Sequence, residues 1–426
     1  MPASGQAARA PGPQRLQRRV LGLIEGELET TRCVGLFGAR QVGKSTIANQ
    51  IAEARGEGAI QLSMRRARDR GALANDEEFF AQNADKLIVI DEAHLHPDAL
   101  DVVHQRLEHE LHGRSGRTQF LLLGSSASDL QRVAAERLGA RLTPVEIDTL
   151  HLLELPMPRR RPPVRGVSSI GVAPAEELIS ATEETDAVMD SLWLKGGFPM
   201  SVLSADDAVS FAWRRSYVAA CIRRTPGEAL AGLEVGAVRR TLDKIAAAQG
   251  SILPVDNSTI EFRTCVRYLD RLGLVRVLPP WSANRNNQLN RRPKVFIRDS
   301  GLLHVLRQCP TLEAVEGTPL LMGDSWEGFC IETLVGAVGD RAQAFYYRWN
   351  DQDEIDLVLE FSPTRRWAIE IKHGKDPKPS AGFYRACEAV NPERRMFVHR
   401  GEATVSIGGG INAYPLRAAV EEVVRA

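Results

Sequence analysis

The sequence lacks the long apolar segments and the paired cysteines that would place a protein in a membrane or crosslink it. The longest stretch without a charged residue has 14 residues, Ala403 to Leu416, and contains three consecutive glycines, whereas a membrane-spanning helix needs about 20 apolar residues. The N-terminal residues are rich in arginine but contain no apolar segment of the kind found in secretory signals. None of the six cysteines forms a CxxC pair, which argues against a zinc ribbon and a disulfide framework. We therefore expect a cytoplasmic protein with reduced cysteines and no membrane contact.

Lysine is scarce, and positive charge is not in excess. Only eight of the 54 basic residues are lysine, and the 54 acidic residues bring the formal net charge to zero. This balance excludes a uniformly basic nucleic-acid-binding protein, although charge can still be segregated along the chain. The hydrophobic fraction of 43% is ordinary for a globular protein. The length of 426 residues suggests two or three domains of roughly 100–200 residues each.

The chain is predicted to divide into five consecutive parts. Residues 1–19 form a basic flexible tail. Residues 20–155 alternate short apolar runs with helical segments, which predicts an α/β fold with a parallel sheet. Residues 156–175 form a linker rich in proline and arginine. Residues 176–315 are predicted to be helical and to end in a winged-helix unit, and residues 316–426 begin with a helix and continue as strands.

Residues 38–45 read GARQVGKS, which matches the phosphate-binding pattern GxxxxGK[ST]. The apolar run CVGLF precedes the motif and the helix-compatible run TIANQIAEA follows it, as this loop requires. Lys44 is predicted to reach the β- and γ-phosphates of ATP, and Ser45 is predicted to coordinate Mg²⁺. The predicted nucleotide-binding residues of the loop are Gly38, Ala39, Arg40, Gln41, Val42, Gly43, Lys44, Ser45 and Thr46.

Two further strand ends carry polar residues suited to ATP hydrolysis. The segment LIVIDEAH, residues 87–94, ends an apolar strand in Asp91, a predicted outer ligand of Mg²⁺. Glu92 follows directly and could orient or deprotonate the attacking water. Ser125 follows the apolar run QFLLLG, where it could sense the γ-phosphate or cap the next helix. These residues and the loop together predict a Mg²⁺-ATP site.

The order of the motifs GARQVGKS, IVIDEAH and GSSASDL resembles that of bacterial proteins that join an AAA-type ATPase to a C-terminal restriction-endonuclease-like domain. The segments GGFP (196–199) and YVAACIRR (217–224) extend the resemblance. It implies a P-loop NTPase fold of the AAA type for the first region. It also implies that Arg141 contacts phosphate, in cis or from a neighbouring subunit of a homo-oligomer. The acid–Arg–acid pattern of that family is represented here by Arg224 alone.

A strongly basic segment lies within the predicted winged-helix unit. Residues 262–298 contain nine basic residues and one acid, a surplus that suits the phosphate backbone of DNA. An alternative is that these basic residues pack against acidic neighbours such as Asp351, Asp353 and Glu354. The predicted DNA-contacting residues are Arg263 and Arg267, one helical turn apart, and Arg285, Arg291 and Arg292 in the wing.

The C-terminal part contains two predicted strands, EIDLVLEF (354–361) and RWAIEIKH (366–373), in which apolar and other residues alternate as in half-buried strands. A hairpin that turns at Pro363 pairs positions whose numbers sum to 726, which places Asp356 opposite Glu370. Lys372 lies two residues further, on the same face as Glu370.

The arrangement Asp…Glu-x-Lys is the core of the PD-(D/E)XK nuclease pattern, in which the carboxylates hold Mg²⁺ and the lysine stabilises charge or orients water. The family resemblance adds Glu327, on the predicted helix WEGFCIETL, as a further acid facing the metal. An ordinary amphipathic hairpin with a salt-bridged polar face is the structural alternative.

The sequence thus predicts an ATPase with the cofactors ATP and Mg²⁺, coupled to DNA binding or processing. Two other functions remain open. The protein could be an ATP-dependent signalling switch without nuclease chemistry, or a DNA-binding regulator in which the nucleotide is only structural.

Overall fold

The computed structural model describes residue 16 and residues 18–74, 76–111, 118–124, 127–155, 187–223, 233–252, 260–283, 292–350 and 352–426. The predicted linker 156–175 and most of the tail 1–19 therefore lie outside the described residues. Five single residues named above also lie outside the described residues: Ser125, Arg224, Arg285, Arg291 and Asp351.

The first region is a parallel five-stranded sheet with helices on both sides. The strand order is β2-β3-β4-β1-β5, and every pairing within it is parallel. The strands are β1 (Cys33–Phe37), β2 (Ala59–Ser63), β3 (Leu87–Asp91), β4 (Gln119–Leu123) and β5 (Thr143–Glu146). The helices are α1 (Val20–Thr30), α2 (Lys44–Arg55), α3 (Ala67–Ala74), α4 (Asp76–Gln82), α5 (Pro97–Leu111) and α6 (Ala127–Leu138). The predicted parallel α/β fold is confirmed, and β1 lies in the interior of the sheet because its five residues are all apolar or glycine and all buried.

The middle region is helical and contains a two-stranded hairpin, which two short helices follow. Strands β6 (Val275–Leu278) and β7 (Lys294–Ile297) pair antiparallel. The helix before the hairpin buries Phe262, Cys265, Val266 and Leu269 at helical spacing. The helices are α7 (described over 187–195), α8 (Pro199–Val202), α9 (Asp207–Arg223), α10 (Val235–Ala247), α11 (Ile260–Arg271), α12 (Ser300–Leu306) and α13 (Leu312–Glu316).

The C-terminal region is a six-stranded mixed sheet in the order β12-β13-β11-β10-β9-β8. Its strands are β8 (Gln343–Arg348), β9 (Glu354–Ser362), β10 (Arg365–Ile371), β11 (Arg394–His399), β12 (Val405–Gly408) and β13 (Ile411–Pro415). Its helices are α14 (Pro319–Val338), α15 (Ala381–Val390) and α16 (Leu416–Arg425). Strands β9 and β10 pair with the predicted register, since Leu359 lies opposite Trp367 and Leu357 opposite Ile369.

The expectation that β9 and β10 are half-buried is wrong. Both strands are central in the sheet, and their side chains are buried on both faces. On one face Leu357 belongs to the same apolar cluster as residues of α14 and α16, and on the other Val358 packs in a cluster with Phe383 of α15. Asp356 of β9 and Glu370 of β10 are therefore enclosed, and each needs a polar or charged partner inside the domain.

One cluster of buried apolar side chains runs through all three regions. It includes Leu36 of β1, Leu269 of α11 and Leu334 of α14. Among the helices in the described ranges, none has the length and apolar character that a membrane span requires.

Candidate functional site

The loop between β1 and α2 has the backbone shape of a phosphate-binding loop. Gly38 and Gly43 have φ angles of 141° and 102°, and Gln41 has a φ of 62°. A Cβ atom on Gly38 would lie 2.2 Å from the carbonyl oxygen of Ile147, so this position requires glycine. The loop leads directly into the N-terminus of α2, where free backbone N–H groups and the helix dipole favour an anion.

Lys44 lies at the start of α2 and is buried. Its Nζ atom donates hydrogen bonds of 2.8 Å to the carbonyl oxygens of Gly38 and Ala39. Burial lowers the pKa of Lys44 to about 8, although the nearby Glu92 and Asp91 oppose the shift. The ammonium is thus folded over the loop on neutral partners, and a phosphate oxygen would be a stronger partner for it.

Ser45 and Asp91 meet at the end of β3. The Ser45 Oγ atom lies 3.4 Å from Oδ2 of Asp91, and Oδ1 of Asp91 accepts a hydrogen bond of 2.9 Å from the backbone N–H of Glu92. Burial raises the pKa of Asp91, and the neighbouring Glu92 adds to the rise. A hydroxyl and a carboxylate beside a phosphate loop are oxygen ligands of the type that Mg²⁺ prefers, so these residues fit the ion.

Glu92 is held in a fixed position by its backbone and by an arginine. Its φ of 57° places a non-glycine residue in the left-handed region, which is costly and concentrated at functional sites. Its Oε1 atom accepts hydrogen bonds of 2.8 Å and 3.2 Å from the guanidinium of Arg65. The Arg65 side chain is 59% exposed, whereas that of Glu92 is 11% exposed. The predicted water-orienting carboxylate is therefore bound to a surface arginine.

These residues line a cavity of about 640 Å³. Lys44, Ser45, Asp91 and Glu92 contribute polar groups to its lining. The apolar part of the lining, called here the apolar wall, includes Leu16, Leu150, Pro199, Met200 and Leu203. The GGFP segment, residues 196–199, leads into α8 and is the sequence signal from which this apolar wall could have been predicted.

Arg18 is a further residue of the cavity that the sequence analysis missed. It is buried, and its guanidinium donates to the carbonyl oxygens of Val42 at 2.9 Å and Asp148 at 2.8 Å. Its Nε atom forms an ion pair of 3.1 Å with Glu154. The prediction of a flexible tail up to residue 19 is therefore wrong at its end, because Arg18 is fixed beneath the phosphate loop by partners more than 100 residues away in the sequence.

One predicted nucleotide contact, Arg141, is not brought to the cavity within one chain, and another cannot be placed. Arg141 forms an ion pair with Glu108 of α5 and is absent from the cavity lining of the described residues. Ser125 lies outside the described residues. A contact of Arg141 with the nucleotide of a neighbouring subunit stays a prediction.

The basic segment 262–298 is divided between enclosed ion pairs and exposed side chains. Arg276 and Arg298 both pair with Glu332 of α14, and Arg298 also pairs with Glu146 and Asp148 of the first region. Arg276 and Arg298 therefore pack against acidic neighbours, which was the stated alternative to DNA contact for the basic segment. Three of the predicted DNA-contacting residues are described, and all are exposed: Arg263, Arg267 and Arg292.

Asp356 and Glu370 lie together in the C-terminal sheet and are both buried. The Lys372 Nζ atom lies 2.7 Å from Oε1 of Glu370 and 4.0 Å from Oδ2 of Asp356. Oδ2 of Asp356 also accepts a hydrogen bond of 2.8 Å from the backbone N–H of Ile371. Burial raises the pKa of Glu370, and the nearby Asp356 raises it further. The structure thus brings these three predicted residues together.

Glu327 of α14 belongs to the same cluster, but a lysine missed by the sequence analysis lies beside it. The Lys294 Nζ atom is 3.1 Å from Oε1 of Glu327 and 2.7 Å from Oε1 of Glu354. Burial alone would lower the pKa of Lys294, but Glu327, Asp356 and Glu354 outweigh this effect and raise it. In the described part of the chain, no three histidine, cysteine or acidic side chains are grouped as a metal site.

Three family models match consecutive parts of the chain. Residues 30–155 match the AAA domain. Residues 187–313 and 322–419 match two domains of unknown function, DUF8612 and DUF4143 respectively. The first match supports an AAA-type P-loop ATPase domain. The third gives no activity, so the restriction-endonuclease-like fold and its metal site stay a prediction.

The chain is similar over most of its length to two uncharacterized mycobacterial proteins, one from Mycobacterium tuberculosis and one from Mycobacterium bovis. Each is 29% identical over 406 residues, which cover 94% of this chain and 83% of the relative. Among solved structures, the Walker-type ATPase of Pyrococcus abyssi has 12% identity and a TM-score of 0.41, with 69% of this chain and 96% of that one covered. The Aeropyrum pernix ORC2 protein, solved as ADPNP and ADP complexes, has 15% identity and a TM-score of 0.35, with 70% and 93% covered.

Proposed function

We propose that this chain is a Mg²⁺-dependent ATPase whose nucleotide state acts on a DNA-contacting middle region. The observation that carries this proposal is the convergence of Lys44, Ser45, Asp91 and Glu92 on one cavity. Each of the four is the residue type that phosphoryl transfer to water requires at its position: an ammonium, a hydroxyl, a metal-facing carboxylate and a water-orienting carboxylate.

The chemistry follows from what these groups now contact. The Lys44 ammonium would exchange its two carbonyl partners for phosphate oxygens of ATP. Ser45 and Asp91 would hold Mg²⁺, which supplies neutralisation of charge on the phosphates. Glu92 would orient the attacking water and accept its proton, and this requires its carboxylate to leave Arg65.

The apolar wall of the cavity links the nucleotide to the middle region. Pro199 and Met200 belong to α8 and Leu203 follows it directly, and Met200 is 62% exposed. A bound base would cover this apolar surface, since purine rings favour such contacts. The nucleotide would then contact both the first region and the middle region, so its binding would favour a defined arrangement of the two.

The exposed arginines of α11 support DNA as the partner of the middle region. Arg263 and Arg267 lie one turn apart on a helix that precedes a β-hairpin. Both are exposed, unlike Arg276 and Arg298, whose charges are neutralised by Glu332. Such a pair can bind backbone phosphates without reading sequence.

The test is an ATPase assay of the full chain with Mg²⁺, in the absence and presence of duplex and branched DNA. Lys44→Ala should abolish hydrolysis, whereas Lys378→Ala, a change at an exposed lysine, should leave it unchanged. Hydrolysis that survives in Lys44→Ala, or that is undetectable in the unmodified chain, would contradict the proposal and favour a regulator with a structural nucleotide.

A second candidate function is metal-dependent DNA cleavage at the C-terminal cluster. It is favoured by the proximity of Asp356, Glu370 and Lys372 on adjacent strands. Glu327, Asp356 and Glu370 would hold Mg²⁺, and Lys372 would stabilise charge on the cleaved phosphate. Glu370→Ala should abolish cleavage of DNA in Mg²⁺ or Mn²⁺ and leave ATP hydrolysis intact. If Glu370→Ala changes neither cleavage nor the cellular effect of the protein, a signalling switch without nuclease chemistry is the better account.

A further inference from the structure

Lys294 places a positive charge inside the carboxylate cluster of a different region. It is the first residue of β7, in the middle region, and is 3% exposed. Its Nζ atom contacts Glu354 of β9 and Glu327 of α14 at 2.7 Å and 3.1 Å. The ammonium also lies 5.6 Å from the centre of the Tyr346 ring. A buried lysine enclosed in this way is a fixed component of the cluster.

Each proposed metal ligand of the cluster already has a cation or a donor as its partner. Glu327 contacts Lys294, Asp356 accepts from the backbone N–H of Ile371, and Glu370 contacts Lys372. Yet one oxygen, Oε2 of Glu370, is buried and has no hydrogen-bond partner among the described residues. The two ammonium groups therefore leave one buried carboxylate oxygen of this site without a partner. A divalent ion would compete with the ammonium groups for the same carboxylates.

The residue type supports a role as a cation. Only eight of the 54 basic residues are lysine, and three of these, Lys44, Lys195 and Lys294, are buried. An ammonium is a compact point charge, whereas a guanidinium is broad and planar. At a position enclosed by carboxylates, the compact group approximates a bound metal ion.

We infer that Lys294 is a tethered cation that closes the C-terminal carboxylate site to divalent metal. The inference rests on the proposed metal-binding role of Glu327, Asp356 and Glu370. In this arrangement the β6–β7 hairpin inhibits the site by supplying its counter-ion, and withdrawal of the ammonium would leave Glu327 and Glu354 without their present cation, so that a divalent ion could take its place.

The hairpin is also connected to the nucleotide-binding region. Arg298, directly after β7, pairs with Asp148, and the backbone carbonyl of Asp148 accepts from Arg18. Arg18 in turn donates to Val42 of the phosphate loop. A change in the phosphate loop therefore has a continuous set of contacts through which it can act on the strand that carries Lys294.

The test measures Mn²⁺ binding to the full chain without nucleotide, from the electron paramagnetic resonance signal of free Mn²⁺. Lys294→Met should gain one Mn²⁺ site per chain, at least about tenfold tighter than any site in the unmodified protein. Lys294→Arg keeps the charge and should gain none. Adding Asp356→Asn to Lys294→Met should remove the new site. A Lys294→Met protein that binds no more Mn²⁺ than the unmodified chain overturns the inference.

A second variant controls for loss of stability, because Lys294→Met leaves Glu327 and Glu354 without their cation. Lys294→Met combined with Glu354→Gln removes one positive and one negative charge and retains all three proposed metal ligands. It should show the same gain of Mn²⁺.

The outcomes separate this inference from the proposed nuclease function. Tight Mn²⁺ binding to the unmodified chain, lost in Asp356→Asn, would overturn the closure by Lys294 and leave the metal site intact. Mn²⁺ binding gained by Lys294→Met without any DNA cleavage would support the closure and contradict the nuclease.

Discussion

The nucleotide site and the C-terminal cluster both place a lysine ammonium beside carboxylates, but they differ in what the ammonium contacts. Lys44 donates to neutral carbonyl groups at the edge of a cavity of about 640 Å³. Lys294 and Lys372 contact carboxylates directly. An ammonium group that donates to neutral carbonyl oxygens would form stronger hydrogen bonds with phosphate oxygens. An ammonium group that already contacts carboxylates would gain less hydrogen-bond strength from such an exchange. The first site can therefore exchange its present partners for a ligand, whereas the carboxylates of the second already hold two internal ammonium groups.

The largest expected effect distinguishes the acids of the two sites. Glu92→Gln should lower ATP turnover by about 100-fold and retain ATP binding, because it removes the group that orients water and keeps the residues that hold phosphate. Glu370→Gln should leave turnover within about twofold of the unmodified chain. Steady-state hydrolysis and equilibrium binding of a fluorescent ATP analogue measure the two quantities. An equal loss of turnover in both variants would show that the sites act as one.

A smaller effect concerns the exposed and the ion-paired arginines of the middle region. Arg263→Ala combined with Arg267→Ala should weaken binding to duplex DNA by roughly tenfold and lower the salt dependence of log K by about 2, since each arginine is expected to neutralise about one phosphate. Fluorescence anisotropy at several salt concentrations measures both changes. Arg239→Ala, on the exposed face of α10 and paired with Asp243, is the matched control. Unchanged affinity in the double variant would place any DNA contact elsewhere.

The smallest effect concerns the ion pair between Arg65 and Glu92. Arg65→Ala should raise the rate of ATP hydrolysis by roughly two- to fivefold, because an ion pair with one exposed partner is worth about 1 kcal/mol or less and its loss frees the carboxylate for water. Arg68→Ala, at a neighbouring exposed arginine, should leave the rate unchanged. A fall in rate with Arg65→Ala would instead assign the guanidinium a direct role in binding phosphate.

Local patterns in the sequence predicted the polar half of the nucleotide site. The glycine spacing of the loop, the apolar strand ending in Asp91 and the register of the β9–β10 hairpin all depend on residues close in sequence, and these predictions agree with the structure. Helix α11 followed by the β6–β7 hairpin was likewise predictable, because the change from helical to strand periodicity is a local signal.

The parts that the sequence analysis missed depend on contacts between distant segments. Arg18 is fixed by Glu154, 136 residues away, and Lys294 by Glu327, 33 residues away in another region. The burial of β9 on both faces depends on helices that pack over the sheet from each side. Charge counting also failed for Arg276 and Arg298, because the sum over a segment cannot distinguish an exposed arginine from one paired with Glu332.

The most direct test of this contrast is the number of Mn²⁺ ions bound per chain, measured with and without a non-hydrolysable ATP analogue. Because the nucleotide site can exchange its partners for a ligand and the C-terminal carboxylates are occupied by Lys294 and Lys372, we predict no tightly bound Mn²⁺ without nucleotide and one with it. The nucleotide-dependent ion should be lost in Asp91→Asn and retained in Asp356→Asn. Tight Mn²⁺ binding without nucleotide that disappears in Asp356→Asn, or no binding when the analogue is present, would contradict the account.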